Sequence, residues 1–214
     1  MMRDDPDIAI AIMAGGRSTR MGRDKGALEI AGRTLLERTA ATALDSGCCV
    51  AVIGRQPPQS WPFDNISFFC DEEPGAGPLG GLATALRHLG GAVLALACDL
   101  PLLNAGSLRW LIDAAAGRAG HHGIVTLNEG RPEPLFSIYF PSVLPLADRL
   151  LTSENRSLRA LHAVGSFAAI NAPPAVARTL HNVNTPEEWA DVMRSSGFEV
   201  KSQKSEGKNK RWAS

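Results

Sequence analysis

The sequence predicts a doubly wound α/β fold, a mostly parallel sheet with helices on both faces. Two observations carry that prediction. Short, continuous apolar runs recur along the chain, and unbroken apolarity suits strands buried on both faces. Segments with helically spaced apolar residues alternate with those runs from the start, which is the pattern of strand–helix–strand winding.

The elements follow in order. Ile8–Met13 (IAIAIM) is the first buried strand, and a Gly- and Arg-rich loop follows over 14–25. Residues 34–44 carry Leu35, Leu36, Ala40, Ala43 and Leu44 close to helical spacing, and Gly47 stops that helix. Val50–Ile53 is a second buried strand, 56–65 a Pro-rich loop, and 66–70 a third strand running into the acids at 71–73. Residues 78–89 form a helix with Pro in its first turn, ended by Gly90 and Gly91. Ala92–Ala97 (AVLALA) is a strand that ends at Cys98 and Asp99. A helix over 108–116 closes at Gly117, and strands at 123–127 and 135–140 flank the polar loop NEGRPEP. Helices are predicted at 143–151 and 158–163. Thr185-Pro186-Glu187-Glu188 is a capping box with Pro at the first helical position, so a helix starts there and runs through Met193. The less regular stretch 128–175 is expected to hold an antiparallel strand and excursions from the sheet. Beyond Glu199 the chain is polar, which predicts one domain over 1–200 and a disordered basic tail over 201–214.

Composition narrows the class. The chain has 214 residues, 44% hydrophobic and 21% charged, enough for a core without disulfide or metal staples. Its 22 basic and 22 acidic residues cancel, so nothing points to a nucleic-acid surface. The balance hides an asymmetry: the tail carries five basic residues against one acid, and the rest of the chain is net acidic. Before residue 201 every basic residue but one is Arg; the exception is Lys25. No apolar run approaches the ~18–20 residues that cross a bilayer, and the acidic start MMRDDPD is not a secretory signal. Cys48, Cys49, Cys70 and Cys98 form no C-x-x-C pair, and are expected as reduced, mostly buried thiols of a cytoplasmic protein.

Four motifs carry chemistry. The first is Ala14-Gly15-Gly16 followed by Arg17, Arg20, Arg23 and Lys25, after a buried strand. Paired glycines bring backbone N–H groups close to an anion and the basic residues add charge, together describing a triphosphate cradle. It matches neither G-x-x-x-x-G-K-[ST] nor G-x-G-x-x-G. A site that uses the only lysine of an arginine-rich body wants a compact, flexible point charge. The second motif, around Gly77-Pro78-Leu79-Gly80-Gly81, is either a small-residue helix start that lies against a base or ribose, or a plain loop with a Pro-started helix. In the third, Asp99 is either a magnesium ligand beside phosphates or the start of a turn before Pro101. Asp71 likewise ends a strand, and either reaches a nucleotide or metal or is simply solvated. The fourth is the pair Asn182 and Asn184, spaced to share one face of an extended segment; it suits either a polar ring or a turn. The five His residues show no metal spacing, and no G-x-S-x-G elbow is present.

In this order and spacing the four motifs resemble the molybdenum cofactor guanylyltransferases (MobA type). That family's L-A-G-G-x-x-x-R-M-G-x-D-K reads here M-A-G-G-R-S-T-R-M-G-R-D-K, and its G-P-L-x-G, C-D-x-P and N-x-N-T-P-E-E blocks also match. Met13 stands in place of the usual Leu. The resemblance implies a Rossmann-like nucleotidyltransferase fold and transfer of GMP from GTP to molybdopterin-bound molybdenum cofactor, with release of pyrophosphate. It implies nucleotide binding by Met13, Ala14, Gly15, Gly16, Lys25, Asp71 and Asp99, and by Gly77, Pro78 and Leu79. It further implies Mg²⁺ on Asp99, catalytic roles for Lys25, Arg20 and Asp99, and molybdopterin contacts by Asn182 and Asn184. The implied partners are GTP and molybdenum-molybdopterin, with transient contact to other cofactor-synthesis proteins or apo-molybdoenzymes and none with nucleic acid or membrane. Three rival readings are a related transferase using another NTP, such as CTP, or another phosphorylated acceptor, a non-catalytic nucleotide-binding module that delivers cofactor to apoenzymes, and a structural protein with a vestigial site.

Overall fold

The computed structural model describes residues 7–15, 29–30, 32–118 and 120–181, with residues 29 and 30 described by backbone alone. The predicted helix at 185–193 and the tail lie outside them. In chain order, β1 (Ile8–Met13) is followed by a two-stranded antiparallel ribbon, β2 (Glu29–Ile30) and β3 (Arg33–Thr34), that leads into α1 (Leu35–Leu44). β4 (Val50–Ile53), β5 (Ile66–Phe69), α2 (Gly77–Leu89) and β6 (Ala92–Ala97) come next. Then come α3 (Ala105–Asp113), β7 (Gly123–Asn128), β8 (Arg131–Pro132) and β9 (Phe136–Tyr139). A 3-10 turn, Pro141–Val143, precedes α4 (Leu144–Leu151), α5 (Leu158–Val164), β10 (Phe167–Asn171) and α6 (Pro174–Ala177).

The main sheet has the order β10-β7-β9-β6-β1-β4-β5, with β8 paired on β7. β1 is parallel to β4 and β6, β4 to β5, and β7 to β10. β9 runs antiparallel to both β6 and β7. Side-chain alternation splits β1 between two cores. Ile8, Ile10 and Ile12 pack with α1, α3 and α6 on one face; Ala11 and Met13 pack with α2, α4 and α5 on the other. The chain winds outward through β1, β4 and β5, then crosses back to place β6 on the far side of β1. Right-handed crossovers in opposite directions put α1 and α2 on opposite faces. The reversal opens a crevice at the carboxyl ends of β1 and β6. This is the predicted fold class.

Local chemistry explains where boundaries moved. α1 begins after Thr34 because that residue is the cap: Glu37 N–H donates to Thr34 Oγ1 at 3.1 Å, and Thr34 N–H donates to Glu37 Oε2 at 2.7 Å. α3 begins earlier than predicted because Asn104 Oδ1 accepts Ser107 N–H at 3.0 Å and caps it there. β10 was not predicted; it is a half-buried edge strand without the continuous apolarity of the inner ones. The expectation of mostly buried thiols fails. Cys49 and Cys70 are exposed, Cys48 and Cys98 half-buried, and none of the four forms a disulfide. Cys70 lies one residue past the end of β5, where the sheet no longer covers it. Among the described residues no helix is long and apolar enough to cross a membrane.

Candidate functional site

Three strand ends converge on one cleft. Ala14 N–H donates to Ile53 O at 2.9 Å and Gly54 N–H to Phe69 O at 2.7 Å, so pairing continues past β1 and β4. Gly54 has φ +94, and a Cβ there would stand 2.5 Å from Gly15 Cα. Only glycine at both positions allows that approach. A Cβ on Gly15 would lie 3.0 Å from Asp71 Oδ2, one on Gly54 3.3 Å from Asp71 Oδ1, and one on Gly81 3.5 Å from the same oxygen. The Asp71 carboxylate therefore sits in a collar of three glycines, and no described residue donates a hydrogen bond to it. Desolvation by this burial raises its pKa above the ordinary carboxylate value. The turn behind it is fixed to α2 and α4. Glu72 N–H donates to the buried Thr84 hydroxyl at 3.2 Å, and Arg87 pairs with both Glu72 and Asp148.

Opposite the collar, α2 starts bare. Its N-cap, Ala76, offers no side-chain acceptor, and the first turn holds no acid. The free N–H groups and positive end of the helix dipole are thus left for a ligand or solvent. Gly77 and Pro78 line the cleft, which encloses about 990 Å³ together with Met13, Gly15, Ile53, Gly54, Asp71 and Leu135. A second pocket of about 390 Å³ adjoins it and shares Pro78 and Leu135. Asp99, Glu133, Pro134, Arg156, Arg159 and Leu180 are among its lining residues.

The wall between the pockets is strongly anchored. Glu133 N–H donates to Thr126 O at 2.9 Å, and Glu133 O accepts from Phe136 N–H at 3.0 Å and Ser137 Oγ–H at 2.7 Å. The Tyr139 hydroxyl donates to Pro134 O at 2.9 Å and lies 2.9 Å from His162 Nε2. Tyr139 is fully buried, which pushes its pKa up; burial brings His162 down to about 4. With the hydroxyl proton on Pro134, His162 donates from Nε2, and its buried Nδ1 has no partner among the described residues. Among the described residues no three His, Cys, Asp or Glu side chains cluster as a metal site.

This chain matches, over residues 10–201, the family model described as the MobA-like NTP transferase domain. The chain belongs to that family. A probable molybdenum cofactor guanylyltransferase of Methanothermobacter thermautotrophicus is 34% identical over 84% of this chain and 96% of its own. The molybdenum cofactor guanylyltransferase of Xanthomonas euvesicatoria is 30% identical over 86% of this chain and 94% of its own. In fold, the chain resembles the molybdopterin-guanine dinucleotide biosynthesis protein A of Archaeoglobus fulgidus. That likeness has a TM-score of 0.74 at 21% identity, covering 88% of this chain and 98% of that one.

Within this MobA-like transferase the structure brings Met13, Gly15, Asp71, Gly77 and Pro78 to the first cleft and Asp99 to the second. Ala14 is half-buried and packs against the core beside them. Leu79 is fully buried under α2, so its side chain does not line the cleft. Gly16, Arg20, Lys25, Asn182 and Asn184 lie outside the described residues. Sequence reasoning missed Gly54, Arg156 and Arg159, and placed Glu133 in a polar loop and Leu135 in a strand without giving either a role. Gly54 carried a usable signal: like Gly15, it follows a continuous apolar run that predicts a buried strand.

Proposed function

We propose that this enzyme transfers GMP from GTP to the phosphate of molybdenum-bearing molybdopterin in the cytoplasm, forming the guanine dinucleotide and pyrophosphate. The observation that carries the reading is the pair of adjoining pockets that meet at Pro78 and Leu135. A two-substrate group transfer needs two binding spaces joined where the bond forms. Both volumes fall in the ~300–1,000 Å³ range of small-molecule sites. The names of the relatives supply the base and the acceptor.

GTP belongs in the larger cleft, where Asp71 offers a carboxylate that is unpaired among the described residues and α2 starts without a side-chain cap from them. The loop through Gly15 and Gly16, with Arg20 and Lys25, holds its phosphates. Asp99 fits a magnesium ion: it is half-buried at a strand end, and Mg²⁺ needs only one or two carboxylates where phosphates complete the shell. Bound there, the ion would neutralise phosphate charge. The acceptor phosphate oxygen forms a bond to the α-phosphorus of GTP. The bond from that phosphorus to the bridging oxygen breaks, and pyrophosphate leaves with the electron pair. The attacking group is already an anion, so no general base is needed, and the protein works by alignment and charge stabilisation. Lys25 stabilises the departing pyrophosphate. The acceptor occupies the second pocket. Leu180, two residues before Asn182, lines that pocket, which supports molybdopterin contacts by Asn182 and Asn184. The product then passes to apo-molybdoenzymes or other proteins of cofactor synthesis.

The test mixes the protein with Mg²⁺, a molybdopterin source and GTP, CTP or UTP in competition, and identifies the dinucleotide by mass spectrometry. A guanine dinucleotide in excess supports the reading. A cytosine dinucleotide, or none, overturns it.

A further inference from the structure

The second pocket contains a carboxylate that the transfer chemistry does not use. Glu133 is half-buried, and among the described residues its carboxylate has one partner, Asn128 Nδ2–H, at 3.5 Å. Arg156 and Arg159 line the same pocket, yet neither forms an ion pair with it or with any other described residue. Burial raises the Glu133 pKa, partly offset by Asn128, as fits a carboxylate drawn out of water without a cation. Such a group is costly unless a ligand supplies its donors.

Its backbone is unusually well held. Pro132 and Pro134 flank it, and the residue before a proline is confined to extended conformations. Thr126 O, Phe136 N–H and Ser137 Oγ pin its own peptide groups, and Tyr139 pins Pro134. A carboxylate fixed in this way is preorganised for paired donors, because its two oxygens match two parallel N–H groups in geometry.

We propose that Glu133 is the specificity residue for the acceptor's ring, its carboxylate accepting parallel hydrogen bonds from the ring N–H and amino group of a 2-amino-4-oxopyrimidine edge. The inference rests on the second pocket's being the acceptor site. The carboxylate selects aminopterins over rings that carry a carbonyl in place of the amino group, since a second carbonyl oxygen facing a carboxylate repels it. Glu133 thereby sets ring orientation and directs the phosphate arm toward Asp99 and Pro78, where the two pockets meet.

Two measurements test this. The first uses pterin fluorescence to titrate the full chain with 6-hydroxymethylpterin phosphate and with its 2-oxo counterpart. The wild-type protein should prefer the amino compound by at least about tenfold, and Glu133→Gln should lose that preference, as expected for charge-assisted hydrogen bonds. The second compares KM values. Glu133→Gln should raise the KM for molybdopterin at least about tenfold while the KM for GTP stays within about twofold, and Glu133→Asp should recover part of the loss. Equal binding of the two rings by the wild-type protein overturns the proposal. So does a Glu133→Gln variant whose main change is in magnesium dependence, which would make the carboxylate a metal ligand. Failure of the parent reading looks different: the dinucleotide assay then yields no guanine product, whatever residue stands at 133.

Discussion

Gly54→Ala is the sharpest test of how the nucleotide cleft is built. The new Cβ would stand 2.5 Å from Gly15 Cα and 2.7 Å from Gly15 N. Carbon atoms settle at about 3.5–4.0 Å, so one backbone must retreat by about 1 Å. Neither partner is a flexible side chain that can swing away. A left-handed conformation costs a non-glycine residue about 1–2 kcal/mol, and overpacking adds about 1–3 kcal/mol. Gly47→Ala is the matched control: its φ is +80, but its Cβ would meet nothing within 4 Å, so it carries the conformational cost alone. At about 2–4 °C per kcal/mol for a chain of this size, Gly54→Ala should lower Tm by about 4–20 °C and Gly47→Ala by about 2–8 °C. The displaced strand end leads into the loop proposed to hold the phosphates, and a 1 Å misplacement is able to cost about a hundredfold in turnover. Scanning calorimetry and titration with a non-hydrolysable GTP analogue read both effects. Equal Tm values for the two variants, with unchanged GTP affinity, would refute the close approach.

Other perturbations separate the remaining roles. Lys25→Ala should cut turnover at least tenfold without changing Tm, since losing one preorganised charged donor typically costs about 2.7–4 kcal/mol in the transition state; wild-type activity would remove Lys25 from the cradle. Asp99→Asn should abolish turnover with little rescue by added Mg²⁺, whereas an unchanged magnesium dependence in steady-state assays would make Asp99 a turn residue. His162 titrates near 6.5 when unfolded and about 4 when folded, so the unfolded chain binds the extra proton and stability falls as pH drops through that window. Discounted for solvent exposure, the effect should be about 1–2 kcal/mol. Tm measured from pH 7 to pH 4 should fall more steeply for the wild type than for His162→Gln, and parallel curves would count against it.

Much of the lining of the two pockets was legible in the sequence because it sits at the ends of continuous apolar runs. Met13 to Gly15, Asp71 and Asp99 all follow such runs, and strand ends on one edge of a parallel sheet must come together. Gly54 was missed because its necessity arises from contact with Gly15 on the neighbouring strand. Leu79 belongs to the matched block, but helical rotation turns its side chain into the core. The cysteines misled because burial of Cys is an average tendency, and Cys70 falls just beyond the sheet's cover. Glu133 and the arginines gave no periodic signal. They lie in polar segments whose partners are set by tertiary structure.

Among the described residues one inner strand, β9, is reversed, and it explains why the two pockets adjoin. In a fully parallel sheet every strand exits at the ligand edge, and only the segments leaving the strands face the ligand. β9 enters at that edge instead. Ala97 N–H, at the carboxyl end of β6, donates to Leu135 O at 2.9 Å, just before β9 begins. The approach segment Glu133–Pro134–Leu135 is thereby brought beside Asp99 and opposite the start of α2. β7, parallel to β6, ends at the same edge and supplies Asn128 to Glu133. Reversal of a single strand thus turns one crevice into two connected ones, with a wall hydrogen-bonded to β7 and β9 between them. A transferase that must hold two substrates apart until their phosphates meet requires that partition, and the register of β9 against β6 sets where the wall stands.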